Sequence, residues 1–371
     1  EKEIPTAPYE TLFNDPGAQL LDQELLFSLG HGGKMTDKLR HAFHFTFGDY
    51  AFLNDYRYLS DPVTLNHDAI EGRWLGVDLL FDYLGFERQR ILVGIDAQWD
   101  IRQHYKNYDE APVPVLWYRQ QGDSRRWGLY LHDEISLTPK LMFHLGGRWD
   151  HYSTDVSLID GSSGVRGTLS TADQVFNPRL AAIYKPHPRL ALKLLYNSAF
   201  RAPDATEIGY VIPPRVEVAE LDPERIRSTE VAAEYFPSTA LKLTGRGFYT
   251  RFDRAIILDP VDPARLINGG EYLSRGIETA LEWQSARRER LRASLTWQQV
   301  TDEHSGAILE DAPRYLAKFN YTLPLGESPW RLGLEAQLVA SRKTPEGGEV
   351  GAYTLVNATL TSMNLWKNLD L

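Results

Sequence analysis

The sequence predicts an all-β chain, a transmembrane antiparallel up-and-down β-barrel of which about 15–16 strands are present. Three observations predict it. Apolar and polar residues alternate over runs of about ten residues or more, the length a tilted membrane strand requires. Short turns and longer polar segments take turns in joining these runs. Aromatic residues make up 12% of the 371 residues, with nine Trp and nineteen Tyr, which suits the aromatic girdles at the two edges of a membrane.

Each strand can be justified from its alternation. Ile91, Val93, Ile95, Ala97 and Trp99 fall on one face, with Gly94, Asp96, Gln98 and Asp100 on the other. Leu141, Phe143, Leu145 and Trp149 stand opposite His144, Arg148 and Asp150. Leu190, Leu192, Leu194 and Tyr196 stand opposite Lys193 and Asn197. The same period of two runs through Leu291–Gln298 and Arg331–Ser341. Short turns fall at 31–38, 84–88, 137–141, 185–189, 236–240, 285–290 and 324–330. Between them the reading places long loops over about 52–68, 107–124, 155–173, 201–226, 258–270, 303–312 and 342–350. Strict alternation of short and long connections is the pattern of an outer-membrane barrel, with periplasmic turns and extracellular loops.

Composition narrows the class further. The formal net charge of −10 argues against a nucleic-acid footprint. No cysteine is present, which favours an envelope protein. Mean hydropathy is −0.37, and no apolar run approaches the roughly 18–20 residues of a membrane helix. A membrane barrel looks this polar because only every second residue meets lipid. The opening residues "EKEIPTAPYE" contain neither Met nor a signal-peptide pattern, so the chain is expected to begin inside a longer product or to have been processed or cut.

Several segments, taken in order, resemble the TonB-dependent outer-membrane receptors. "NPRLAAIYKPHPRLALKLLYNSAFRAPDATEIGY" (Asn177–Tyr210) resembles that family's Asn-Pro-Arg strand, turn and strand ending in Phe-Arg-Ala-Pro. "YLHDEISLTPKLMFHLGGRWDHYS" resembles the hairpin before it, and "LDPERIRSTEVAAEYFPSTALKLTGRGFYTRFDRAI" the strands after it. "NGGEYLSRGIETALEW" and "VGAYTLVNATLTSMNLWKNLDL" resemble later wall strands. The resemblance implies active uptake of a scarce nutrient, most often a ferric siderophore, driven by TonB acting on an N-terminal plug. It implies no cofactor; the transported ligand would be an iron chelate. Neither a plug nor a TonB box is visible, and the family barrel has 22 strands. The chain, residues 1–371, is therefore expected to be part of a barrel domain, with TonB engaged through a plug carried elsewhere. Cobalamin, haem and carbohydrate receptors share this wall, and a passive porin of about sixteen strands is the rival reading.

Candidate site residues follow from position. Phe200, Arg201, Ala202, Pro203 and Glu207 mark the outer rim, where Pro203, lacking an N–H, stops the ladder. Arg201 shares a face with Lys193 and Asn197 and is expected to point inward, with Glu207 as a partner. Asp78, Asp96, Asp100, Arg148, Lys193, Arg246, Arg292 and Glu335 are expected to face water or a plug in the lumen. Arg201 and the aromatics Tyr56, Tyr58, Trp117, Tyr118, Tyr210 and Tyr272, with Arg215, are the candidates for ligand contact, seven of these eight being assigned to long loops and Arg201 to the rim; cation and flat rings would suit an anionic chelate. Haem is disfavoured, since residues 201–226 contain no histidine; His67 and His304 remain as loop histidines that could ligate iron. His41 and His44, three apart, face opposite sides of a strand, and no local metal-ligand spacing is found. No Gly-x-Ser-x-Gly, P-loop or cysteine nucleophile is present.

Overall fold

The computed structural model describes residues 2–3, 11–15, 17–161, 164, 166–209, 220–262, 265–344 and 347–362. They form one 16-stranded sheet in which strands pair antiparallel, each with its neighbour in the chain until the last step. The order is β1 (Lys2–Glu3), β2 (Gln19–Lys34), β3 (Leu39–Tyr58), β4 (Thr64–Tyr83), β5 (Gln89–Ala111) and β6 (Val115–Thr138). It continues with β7 (Leu141–Asp160), β8 (Arg166–His187), β9 (Leu190–Arg201), β10 (Glu224–Ser238), β11 (Leu241–Leu258) and β12 (Leu266–Gln284). Next are β13 (Arg290–Asp302), β14 (Tyr315–Pro324) and β15 (Trp330–Val339). A separate hairpin of β16 (Arg342–Lys343) and β17 (Glu349–Val350) precedes β18 (Tyr353–Ser362), which pairs with β15. A single helical turn, α1 (Ala205–Ile208), lies between β9 and β10.

The two faces differ as a lipid wall requires. Outward residues are large, apolar and exposed: Phe27, Ile95, Leu131, Leu194, Val231, Ile277 and Leu295 among them. Aromatics bracket this band. Tyr83, Phe86, Tyr184, Tyr235, Trp283 and Trp330 lie near the short turns, and Trp99, Trp127, Trp149, Tyr249 and Trp297 lie further up the strands. Among the described residues no helix is long and apolar enough to cross a membrane. Among the described residues a small apolar core cluster is formed by Val156, Ala205 and Ile208 with Leu169 against it.

The strands correct the loop boundaries read from sequence. β4, β5, β6 and β8 run for 20, 23, 24 and 22 residues. The connections at three of the expected long loops shrink to residues 59–63, 112–114 and 161–165. At about 3.3 Å per residue and a 45° tilt, such strands rise about 50 Å, twice the height of the apolar band. Their upper halves stand in water. The ladder continues there because backbone groups stay paired, but both faces are wet and the alternation disappears. Register shifts at Arg73/Trp74 and Asp100/Gln103 sit just beyond Trp99, where a bulge re-aims strands leaving the membrane.

Candidate functional site

The rim is built around Arg201. β9 is paired with β8 only as far as Asn197, opposite Arg179, while its pairing with β10 continues to Arg201 opposite Glu224. Pro203 is buried just beyond the end of the ladder. Asp204 then caps α1: its Oδ1 accepts from Glu207 N at 2.8 Å, and Glu207 Oε2 accepts from Asp204 N at 3.0 Å. This reciprocal pair is a capping box. Ala205 and Ile208, on the buried side of α1, pack on Val156 of the inner wall, and the Gln120 side chain donates to the Ala205 carbonyl. Residues 204–209, expected to be loop, instead turn inward as a capped helical turn. The Asp-x-x-Glu spacing was the available signal.

Arg201 is held by two carboxylates. Its Nη1 and Nη2 donate to the two Glu207 carboxylate oxygens at 2.8 Å each, and Nε donates to Glu224 Oε2 at 2.6 Å. Glu224 Oε1 in turn accepts from Ile256 N at 2.8 Å. One guanidinium thus ties β9, α1, β10 and β11 together. The clamp lies above the apolar band. Burial pushes the Glu224 carboxyl up, but the Arg201 guanidinium and the Ile256 N–H outweigh it and hold it below the usual carboxylate value; Glu224 and then Glu207 raise Arg201. Phe200 stacks on Tyr152, ring centroids 6.1 Å apart at 23°. Phe200, Arg201 and Ala202 share one cavity with Asp96, Arg126 and Arg148.

Below the rim several of the inward charges are paired across strands. Arg148 spans Asp96 and Asp150, with Nη2 3.0 Å from Asp96 Oδ2 and Nε 2.7 Å from Asp150 Oδ1. Its guanidinium lies over Gly128, where a Cβ would come within 2.1 Å of Nη2. Lys193 meets Glu234 at 3.0 Å, Arg246 joins Glu230 at 3.1 Å and Glu278 at 2.6 Å, and Arg292 lies 3.8 Å from Glu282. Asp100 accepts from the Gln98 side chain at 2.6 Å. Asp78 stands opposite His44 and Asp96, and Glu335 opposite Asn320 and Asn357.

The aromatic candidates divide into two places. Tyr56, Tyr58 and Tyr118 lie on the extended upper strands β3 and β6, not in loops. Tyr56 and Tyr58 are 6.4 Å apart, and Tyr118 meets Tyr105 edge-on at 4.7 Å. Sequence reasoning missed Tyr105 and the polar groups around it. Tyr105 Oη donates to Asp68 Oδ1 at 3.0 Å, Asn107 Nδ2 to Asn66 Oδ1 at 3.0 Å, and Asn66 Nδ2 to Asp109 Oδ1 at 2.7 Å. Together these residues make a tyrosine-, amide- and carboxylate-lined patch on the inner face of β3–β6. Trp117 belongs to β6 as well, one step from Tyr118 and so on the opposite face. Tyr272 lies on β12, opposite Phe252 and Asp302, away from that patch. Tyr210 and Arg215 lie outside the described residues.

The two histidines kept for haem also separate. His304 follows β13, in the segment before β14. His67 belongs to β4 rather than to a loop, and both its ring nitrogens are occupied: Nδ1 lies 2.6 Å from Asp55 and Nε2 2.8 Å from Glu110. Tyr108 stacks on its ring at 4.9 Å. Nothing is left on that imidazole for an iron.

An antiparallel wall with an apolar aromatic-edged outside and a paired-charge inside defines an outer-membrane β-barrel. The chain belongs to the TonB dependent receptor-like, beta-barrel family, whose model matches residues 5–371. It is 24% identical over 173 residues to the probable TonB-dependent siderophore receptor PiuA of Acinetobacter baumannii, a match covering 46% of this chain and 23% of that protein. Its fold is similar to the ferric yersiniabactin uptake receptor FyuA from Yersinia pestis, with TM-score 0.77 at 16% identity, over 94% of this chain and 55% of that one. It is equally similar to the siderophore receptor PiuA structure from Acinetobacter baumannii, TM-score 0.77 at 16% identity, over 96% of this chain and 60% of that one. The chain thus spans 55–60% of these two solved relatives and less of the curated one.

Proposed function

We propose that the protein carrying this chain is an outer-membrane receptor that takes up a ferric siderophore in a TonB-dependent manner, and that it is not an enzyme. The family match over residues 5–371 carries the reading, and the siderophore receptors among its relatives supply the ligand class. In this reading residues 1–371 are part of the barrel domain, and a plug elsewhere in the protein engages TonB. Three of the five Arg201 N–H donors are held by Glu207 and Glu224, which supports a positioning role for Arg201. Ligand contact falls instead to the inner patch of Tyr58, Tyr105 and Tyr118, whose rings offer flat surfaces and phenol groups to a chelate. The test is growth of a deletion strain on a panel of ferric siderophores, other iron sources and cobalamin. Loss of growth on one ferric siderophore, restored by the gene, is expected. Growth that depends on the gene for no iron source sinks the siderophore assignment.

A further inference from the structure

We infer that the inner wall of β6 and β7 carries a binding site for a divalent transition metal, formed by His132, Glu134 and His144. His132 and Glu134 are two apart on β6, so both face the lumen. The register sets His144 of β7 directly opposite Glu134. The three come together only through that pairing, which is why no local histidine spacing announces them. They lie just above the short turn between Thr138 and Leu141, at the end of the wall opposite the Arg201 clamp.

The donor geometry is that of a metal face. His144 Nδ1 is 3.4 Å from His132 Nε2, His132 Nε2 is 3.6 Å from Glu134 Oε1, and His144 Nδ1 is 3.9 Å from the same oxygen. Tetrahedral zinc with ligands at about 2.0–2.1 Å holds its donors about 3.3 Å apart. The nearest point equidistant from these three atoms, in their own plane, lies about 2.1 Å from each, so drawing the donors together by a few tenths of an ångström seats a cation just above that plane, as four-coordination requires.

The surroundings turn the donors toward that point. Glu134 Oε2 lies 3.8 Å from Arg90 Nη1, and Arg90 is itself held by Asp82 at 2.9 Å, which leaves Oε1 for the cation. His144 Nε2 is 3.2 Å from Met142 Sδ. An N–H donated there places the free lone pair on Nδ1, as a supporting contact does for a ligating histidine. The His132 ring lies against Gly146, where a Cβ would stand 3.1 Å from Nδ1. Two imidazole nitrogens and one carboxylate oxygen select Zn²⁺ and its neighbours Co²⁺, Ni²⁺ and Cu²⁺ over Ca²⁺ and Mg²⁺. With three protein ligands, the fourth position opens to the lumen.

The test titrates zinc chloride into the metal-stripped receptor that carries this chain, purified in detergent from outer membranes. Calorimetry is expected to show one saturable site in the micromolar range or tighter. His144→Ala and Glu134→Gln should each weaken it by about tenfold or more, and Met142→Leu by less. Heat-shifted gel migration confirms that each variant is folded. Cobalt(II) added to the unaltered protein reads the ligand set without any substitution, and the strong visible absorption of a four-coordinate centre is expected. Absence of saturable zinc binding, a weak six-coordinate cobalt spectrum, or undiminished affinity in a folded His132→Gln/His144→Gln variant overturns the assignment.

Discussion

Replacing Glu207 by alanine isolates what holds α1 to the inner wall. The change removes two parallel hydrogen bonds from Arg201, each 2.8 Å, and the acceptor for the Asp204 N–H at 3.0 Å. The Arg201 side chain is 44% exposed and that of Glu207 20%, so solvent screening reduces the ion pair to about 1–2 kcal/mol. The reciprocal capping bond adds about 0.5–1 kcal/mol. The sum, about 1.5–3 kcal/mol, corresponds to about 12- to 150-fold more frequent undocking of α1. Hydrogen–deuterium exchange with mass spectrometry reads this directly. The Ile208 and Gly209 amides are bonded to the Asp204 and Ala205 carbonyls at 3.0 Å, and their exchange should accelerate by that factor. Glu207→Gln keeps an acceptor for Asp204 N and should fall between. Acceleration below about threefold, or an equal speed-up in β14 and β15, would show that packing of Ala205 and Ile208 alone holds the turn and that the ion pair adds nothing.

Other changes test other parts of the wall. Arg201→Lys keeps the charge but cannot reach Glu207 and Glu224 with a fork, and should speed exchange over 201–209 about tenfold. Gly128→Ala places a methyl 2.1 Å from Arg148 Nη2; displacing that guanidinium should cost about 1–3 kcal/mol and lower the temperature at which the folded band is lost on gels. Leu131→Arg, outward within the apolar band, should cost about 2–4 kcal/mol of folding stability in lipid vesicles, while the same change at exposed Ile101, beyond Trp99, should cost about 0–1 kcal/mol. Equal penalties at the two positions would contradict the placement of the band.

How far the sequence could be read depends on what each residue faces. Ile95 meets lipid while Asp96 meets water, so the strands inside the membrane announce themselves by period two. Between Thr64 and Arg73, or Gln103 and Ala111, both faces are wet, no alternation survives, and Tyr58, Tyr118 and His67 were expected in loops although they sit on ladders. Arg201 could be aimed inward from the parity of Lys193 and Asn197. Its bonds to Glu224 could not, because they depend on a register across residues 202–223. The Asp204–Glu207 spacing did carry a helix start, but one turn is too short to show an apolar period. The pairing of His144 with Glu134 likewise belongs to a hairpin register, which local spacing does not encode.

The early parting of β9 from β8 has a mechanical consequence. Above Asn197 the side of β8 that faces β9 is no longer stitched to it, while β9 stays laced to β10 up to Arg201. A load applied to α1 therefore meets side-chain contacts first: the Glu207 fork, the Gln120 amide and two apolar side chains. These give way one after another, as a peeled seam does, whereas the ladders on either side bear the same load in shear across many bonds at once. The rim at Arg201 is thus the compliant element of a stiff wall.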